Sequence, residues 1–536
     1  MRFLGKHLFA ALLSLTTVGA EPALTGSILD GHTGEPVPAR LYIRSAAGDW
    51  HHARSRGGVA VPYKVQRGPR SIEVHTTLSA HPFEVDLPPG TYTLTAERGK
   101  EHHPATRQVV IEGEKPVGVE LKVKRWTETP LASRGWYSGD THVHRKVEEL
   151  PTLLLAEDLN VGLPLTSWVT DSREAPSKAN KNPEPVPPAR LIEVDDTHVI
   201  WPVNTEYEIF TVNGKRHTLG AVFMLNHRKP FELTAPPVAP IAEEARRQGA
   251  ILDLDKHNWP WSMMLVPVMG VELFELTNNH LWRTEFFFNR WQAEYTPTHW
   301  SIERDEHGYT ERGWIEFGFR NYYALLNCGF DMKPSAGTAS GVHPVPLGFG
   351  RVYVKVEDGF TYDRWLEGLA AGNSFVTTGP ILDVTVRGGK GRKPEQVFVG
   401  MTYEGRHPPE SIEVIVNGQV VWGGRSGKRG ANPTPRGGWK TPYLEHGFPL
   451  KTSSWIAVRA FEKRPDGRPR FAHSAPVYID LPGKPLVPDR ADVEYLVKRV
   501  EDELKRHEGV LPEAALAEYR RAAAAFRARL KQPATR

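Results

Sequence analysis

The chain has 536 residues, of which 40% are hydrophobic and 24% charged, and its formal net charge is +4. That length exceeds one ordinary domain and predicts about two to four domains. The small net charge and the lack of a basic stripe interleaved with stacking aromatic residues argue against a nucleic-acid partner. The 48 glycines and 45 prolines predict many turns and much β-structure.

The N-terminus has the pattern of an export signal. Arg2 and Lys6 precede the apolar run "LFAALLSLTTVGA", which ends in small residues. The pattern predicts a signal peptide over residues 1–20, cleaved after Ala20, and hence a secreted or periplasmic protein; an uncleaved anchor is the alternative. No later stretch is long and apolar enough to span a membrane. The single cysteine, Cys328, excludes an intrachain disulfide and is predicted to be a buried packing residue.

Residues 21–127 alternate short apolar strands with turn residues, which predicts an N-terminal β-sandwich. The segments "DGHTGEPVPARLYI" and "LPPGTYTLTA" resemble the carboxypeptidase regulatory-like, transthyretin-like accessory modules. Because the matching motifs are turn signals, the resemblance implies a fold and no activity.

Residues 128–380 alternate helical and strand-like segments. The stretch "PIAEEARRQGAILDLDKH" predicts an amphipathic helix, a cap at Gly249 and a buried strand. Such alternation, with polar residues at strand ends, predicts an α/β barrel whose site lies at that end.

Residues 381–484 return to strands and predict a C-terminal, immunoglobulin-like β-sandwich, in which "VNGQVV" forms an Asn-Gly hairpin. Residues 485–536 predict a helical hairpin tail, broken near Gly509 and Pro512 and packed on the rest. The fold class is therefore multidomain, α/β plus all-β. The sequence leaves the oligomeric state open.

Candidate metal ligands fall in separate segments of the middle region. In "GWYSGDTHVHR", His142 and His144 are two residues apart, and in a strand both project from one face. A polar strand face is the alternative for this motif alone. Glu206, His217 and His257 follow at later strand ends. Imidazole and carboxylate together suit zinc, manganese or iron, so the set predicts one or two divalent ions.

Several motifs, in order, resemble the polymerase-and-histidinol-phosphatase (PHP) superfamily, and within it the secreted carbaryl-hydrolase-like CehA/McbA metallohydrolases. The matching segments are "GDTHVHR", "NTEY…RHTLGAVFML", "DKHNW" and "PSAGTASGVHPVPLGFGRVYV". The resemblance implies a PHP-type distorted (β/α)7 barrel with a hydrolytic metal cluster. It implies that His142 and His144 hold one ion, that Glu206 bridges, and that His217 and His257 hold a second.

The chain also departs from the superfamily pattern. Trp168 stands where a further ligand is expected, and Ala339 stands in the place of a carboxylate. The ligands of a third ion are therefore expected to be lost. His343 is a candidate ligand or proton donor, with a loop cap as the alternative role. Asp140 is expected to orient a ligand imidazole from behind.

A bound divalent ion makes hydroxide available near neutral pH, so the chemistry expected is hydrolysis. Six side chains are candidates for stabilising charge or holding substrate: Lys256, Arg351, Asn278, Asn279, His280 and Arg283. Ordinary structural pairing is the alternative role for each of them. The predicted function is a secreted metal-dependent hydrolase that cleaves an ester, amide or carbamate bond of a small-molecule or glycan-type substrate. The alternatives are a metal-dependent phosphoesterase and a non-catalytic carbohydrate-binding protein with a degenerate barrel.

Overall fold

A computed structural model of the chain describes residues 22–113, 115–178, 186–256, 258–388, 395–425 and 430–531. The predicted signal peptide, residues 1–20, lies outside the described residues. The described part is mixed α/β, with many strands in several sheets and few helices. None of its helices combines the length and apolar character needed to cross a membrane.

Residues 22–125 form two sheets that enclose one hydrophobic core. The strand Gly90–Glu97 shows why: its sequence alternates, and Tyr92, Leu94 and Ala96 turn inward while their neighbours face outward. The strands are Leu24–Asp30, Ala39–Ser45, Trp50–His51, Arg54–Ser55, Ala60–Gln66, Ile72–Leu78, Phe83–Val85, Gly90–Glu97, His102–His103, Ala105–Ile111 and Val117–Arg125.

The middle region is built on two sheets. In the first, Trp136–Val143 pairs with Val161–Pro164 in parallel and with Arg351–Lys355 in antiparallel fashion. The second has six strands, in the spatial order Ser167–Asp171, Thr205–Val212, Lys215–Leu225, Ile251–Leu254, Leu273–Thr277 and Lys333–Ala336. Short strands complete this part of the chain: Ile192–Glu193 and Val199–Ile200 on the first sheet, and the separate pair Arg304–Asp305 and Gly308–Tyr309.

The predicted barrel is not a closed, hydrogen-bonded ring in the part of the chain that the structure describes. The register shifts between Asp140 and Val143, and again between Glu275 and Thr277, so the strands bend where the two sheets meet. Isolated contacts join the edges instead: the Thr141 hydroxyl donates a hydrogen bond to the Ala336 carbonyl at 3.2 Å, and Val143 forms one parallel β-bridge with Ser340.

The C-terminal strands share a sheet with the middle region. Ser374–Thr377 pairs with Phe471–Ser474, so one sheet runs across the predicted boundary at residue 380. That sheet continues through Ser454–Glu462, Pro409–Val416, Gln419–Arg425 and Val477–Ile479. A second sheet consists of Ile381–Gly388, Gln396–Gly405, Asn432–Pro433, Trp439–Lys440 and Leu444–Pro449. Both sheets contribute to one core.

The helices cover the sheets from outside. They are α1 (Leu150–Glu157), α2 (Ala239–Gln248), α3 (Ser262–Leu265), α4 (Glu311–Asn327), α5 (Tyr362–Ala371), α6 (Arg490–His507) and α7 (Glu513–Arg529). The tail helices α6 and α7 pack into the core of the middle region. The carboxylate of Glu518 accepts hydrogen bonds from the amides of Val238 and Ala239 and so caps the start of α2.

The buried ring of His473 makes a pH-dependent contribution to stability. The Tyr323 hydroxyl donates a 2.8 Å hydrogen bond to its Nε2, and its Nδ1 donates to the Ser474 carbonyl at 2.7 Å. Burial lowers the pKa of His473 to about 3. The unfolded chain takes up a proton here below about pH 6.5, whereas the folded chain does not until far lower pH, so stability falls as the pH drops below about 6.5.

Replacing His473 by glutamine removes this titration while keeping an acceptor for Tyr323. Thermal unfolding at about pH 7 and about pH 5.5 should show that the variant loses about 1 kcal/mol less stability over this interval than the parent protein. The same replacement at His81, which is exposed, is the control and should leave the pH dependence unchanged. An unchanged pH dependence in the His473→Gln protein would contradict the assignment.

Candidate metal site

Two histidines and a glutamate form the first group of the site. Strand Trp136–Val143 is buried along its whole length. It carries His142, and His144 follows directly after its end, with both rings on one side as their spacing predicts. Their Nε2 atoms lie 3.3 Å apart, and Nε2 of His144 is 3.1 Å from Oε2 of Glu206. Burial lowers the pKa of His144 to about 4 and that of His142 well below its usual range. Both rings are therefore neutral and can offer a lone pair to a cation.

Three further carboxylates extend this group. Glu208 follows Glu206 by two residues on the same face of its strand, Asp255 comes just after Ile251–Leu254, and Glu275 lies within Leu273–Thr277. Nδ1 of His142 is 3.0 Å from Oε1 of Glu275 and 3.6 Å from Oδ1 of Asp255. Three sets each bring their donor atoms within 4.8 Å of one another: His142, His144 and Glu206; His142, Asp255 and Glu275; and Glu206, Glu208 and Asp255.

Acidic side chains outnumber basic ones in this cluster. Among the described residues, the cation in contact with it is Lys256, whose ammonium touches Oδ2 of Asp255 and lies 3.9 Å from Oε1 of Glu208. Against it stand four carboxyl groups, those of Glu206, Glu208, Asp255 and Glu275. Burial and neighbouring charge raise the pKa of Glu208 to about 8 and those of Glu206 and Glu275 well above their usual range. This surplus fits a divalent cation.

Aromatic rings pack against the ligand side chains. Phe223 meets the ring of His142 edge-on at 4.5 Å, and Trp168 lies 4.6 Å from the ring of His144. Nε1 of Trp168 donates a 3.2 Å hydrogen bond to Glu208. Trp168, which stands where the sequence pattern led us to expect a further ligand, therefore orients two ligand candidates.

Asp140 fixes the loop beneath the cluster. Its carboxylate accepts hydrogen bonds from the amides of His142, Thr338 and Gly348, and from the Thr338 hydroxyl at 2.6 Å. It therefore holds the backbone of His142, and not its imidazole, which pairs with Glu275 instead. The predicted supporting role remains, but it acts through the main chain.

The absence of a side chain at Gly337 provides the space that Glu275 and His142 occupy. A Cβ at this position would lie 1.8 Å from Oε1 of Glu275 and 2.2 Å from Cβ of His142. Gly337→Ala should therefore displace both side chains and weaken metal binding by about tenfold or more, as titration of the metal-free protein would show. Gly118→Ala, at a site with open space around it, is the matched control. Unchanged metal affinity in Gly337→Ala would contradict the placement.

His217 does not reach the cluster. Strands Thr205–Val212 and Lys215–Leu225 form an antiparallel hairpin in which Glu206 lies opposite Phe223. His217 is six residues from Phe223, so it sits about 20 Å away along the strand. Its Nε2 is 2.9 Å from Nδ1 of His507 on α6. The predicted ligand role of His217 is therefore replaced by a contact with the tail.

The two arginines singled out in the sequence also lie elsewhere. Nε of Arg283 bonds Oε2 of Glu73 in the N-terminal sheets at 3.0 Å. The guanidinium of Arg351 is buried and donates to the carbonyls of Gly348, Glu157 and Asp158. Neither guanidinium contacts a ligand candidate that the structure describes, so neither supports the catalytic or substrate-binding role that the sequence suggested.

The remaining candidates lie in loops beside the cluster. Asn278 and Asn279 are buried; Oδ1 of Asn278 accepts from the His280 amide, and His280 stacks on Phe288 at 3.8 Å. The His343 carbonyl accepts a 2.5 Å hydrogen bond from Tyr63 of the N-terminal sheets, and burial lowers the pKa of its ring. His257 lies outside the described residues, and its ligand role stays a prediction.

Comparison with known proteins finds little similarity to this chain. No family model matches the chain, and neither does any curated protein. Among solved structures, the chain is similar to a two-domain protein from Bacteroides vulgatus ATCC 8482, described as containing a predicted PHP-like metal-dependent phosphoesterase. The identity is 10%, the match covers 65% of this chain and 95% of that one, and the TM-score is 0.28. That score is too low to support a shared fold, so the functional argument depends on the site.

Proposed function

We propose that this protein is a metal-dependent hydrolase. The observation that carries the proposal is the buried cluster in which His142, His144 and Glu206 adjoin three more carboxylates. Among the described residues, the cation that contacts this cluster is Lys256. Such a mixed imidazole and carboxylate set suits one or two ions of zinc, manganese or iron. A divalent cation held there would lower the pKa of a bound water and polarise the bond under attack.

The protein's own residues hold this set rigid. Asp140 and Thr338 fix the main chain at His142, and Trp168 fixes Glu208. Lys256 positions Asp255 through its ammonium. Ligands held in place by such partners need no rearrangement when charge develops on the substrate, which is how a site stabilises a transition state.

The charge of the site favours an ester, amide or carbamate over a phosphate. Lys256 is engaged by Asp255, so among the described residues no unpaired cation contacts the cluster to neutralise a phosphate dianion. A neutral acyl group adds no charge to a site that is already rich in carboxylates. We include in the proposal a small-molecule or glycan-type substrate and export through the predicted signal peptide.

The test is a panel of nitrophenyl esters, carbamates and phosphates, assayed with the full-length mature chain before and after chelation. We expect turnover of esters or carbamates that disappears with chelator and returns when zinc or manganese is added. Faster turnover of phosphates would replace the bond assignment with the phosphoesterase alternative. Glycan binding that survives chelation, with no turnover of any substrate, would contradict the hydrolase proposal and favour a non-catalytic carbohydrate-binding protein. That alternative would explain buried Ala339, which offers no ligand atom.

A further inference from the structure

A cavity apart from the metal cluster lies where the N-terminal sheets, the middle region and the C-terminal sheets meet. Its volume is about 440 Å³, and none of the described metal-ligand candidates lines it. Seven cationic side chains line this cavity against the three carboxylates of Glu97, Glu157 and Asp466. All three parts of the chain contribute cations, among them Lys100, Arg351 and Arg406. The cavity is therefore a distinct and strongly positive site.

Several of the lining cations are already neutralised by partners. Arg40 pairs with Glu97 and Glu157, and Arg464 pairs with Asp466. Arg283 and Arg470 bond to Glu73 and Glu311, whose carboxylates lie behind the lining. These pairs fix the walls of the cavity and account for the three lining carboxylates.

Three lining cations have no carboxylate partner among the described residues. Nζ of Lys100 donates to the Thr378 carbonyl at 3.0 Å and lies 4.4 Å from the centre of the Phe349 ring. The guanidinium of Arg351 bonds to main-chain carbonyls and to the Ser138 hydroxyl. Arg406 is half-buried and forms no ion pair or hydrogen bond within the described chain.

Cationic side chains surround Lys100, so positive charge is in excess at this place. Burial, together with the charges of Arg351, Arg406, Arg470 and Arg40, lowers the pKa of Lys100 well below its usual range. One buried carboxylate, that of Glu462, lies near these groups and offsets them in part. The Nε of Arg40 is also buried without a hydrogen-bond partner. Cations held this way leave donors unused, which a bound anion would satisfy.

We propose that this cavity binds a small ligand that carries a phosphate or sulfate group. Guanidinium and ammonium donors form short, charge-assisted hydrogen bonds with such oxyanions, and the cavity is large enough for a group of that size with a small carrier. The inference is independent of the hydrolase proposal, since no metal-ligand candidate takes part. Binding at this site joins three parts of the chain and should stabilise their contact.

The experiment measures binding of inorganic sulfate and of inorganic phosphate to the metal-loaded full chain by calorimetry, at a fixed ionic strength near 0.15 M. We expect saturable binding of at least one of them. Lys100→Met and Arg406→Gln should each weaken it by about tenfold, while turnover at the metal site remains. Arg464 and Arg470 remain near the buried carboxylate of Glu462 in both variants, so both should fold, which thermal unfolding checks. Tighter binding of one anion identifies the oxyanion that the site takes and supports the proposal.

Arg107→Gln is the matched control, because it removes the same charge from an exposed position on the N-terminal sheets. It should leave binding unchanged. The proposal is overturned if neither anion binds saturably, or if binding in Lys100→Met and Arg406→Gln equals that of the parent chain. Equal weakening by Arg107→Gln would also overturn it, because the effect would then reflect net charge alone.

Discussion

Replacing His142 by alanine should lower kcat/KM by at least about a thousandfold and remove most of the bound metal. His142 belongs to two of the three sets of donor atoms, and its Nδ1 and Nε2 face different partners. Loss of a metal costs several kcal/mol of transition-state stabilisation, and each 1.36 kcal/mol is about a factor of ten in rate. Steady-state kinetics and elemental analysis of the purified variant measure both effects.

His217→Ala is the matched control for this result. It removes the same side chain from a residue whose ring contacts His507 and not the cluster. Metal content and kcat/KM should stay close to those of the parent protein once folding is verified. If His217→Ala loses the metal, or if His142→Ala keeps both metal and activity, the site described above is in the wrong place.

Replacing Glu208 by glutamine should change stability in opposite directions with and without metal. In chelated protein, burial and the neighbouring carboxyl groups raise the pKa of Glu208 to about 8, so the folded chain holds this group protonated near pH 7 while the unfolded chain does not. Glutamine removes that cost and should raise the free energy of unfolding by about 2 kcal/mol. In metal-loaded protein, bound metal stabilises the fold by about 4 kcal/mol when the metal is in thousandfold excess over Kd. The same change removes a candidate ligand, so part of this stabilisation should be lost. Glutamine keeps an acceptor for Trp168.

Thermal unfolding of parent and variant, each chelated and metal-loaded, supplies the four values needed. Asp383→Asn, at an exposed position of the C-terminal sheets, is the control and should shift none of them. A variant that is less stable than the parent in both states would mean that Glu208 makes an ordinary structural contact. The charge argument for the metal would then fail.

The spacing of side chains in strands is the part of the site that could be predicted. The two-residue period placed His142 and His144 on one side, and Glu206 joins them in the structure. The same period links Glu206 to Glu208, and Asp253 to Asp255, in the printed sequence. This spacing alone does not single out metal ligands, because acidic residues in strands are common on solvated faces.

Other features depend on contacts that no local pattern reveals. The hairpin register puts His217 at the far end of its strand from Glu206, and it follows from the pairing of whole strands. Glu275 lies in an apolar strand and becomes a candidate only because that strand packs beside His142. Arg283 binds Glu73 across more than two hundred residues of sequence. The bends at Asp140 and Glu275 that interrupt the predicted ring arise in the same way, from the approach of two sheets.

The most direct test is elemental analysis of the full-length mature protein, purified without chelator and dialysed against metal-free buffer. We expect about one to two equivalents of a divalent transition metal per chain, with zinc, manganese and iron as the candidates. Less than about a tenth of an equivalent, persisting after incubation with each of these metals, would contradict a metal centre at His142, His144 and Glu206.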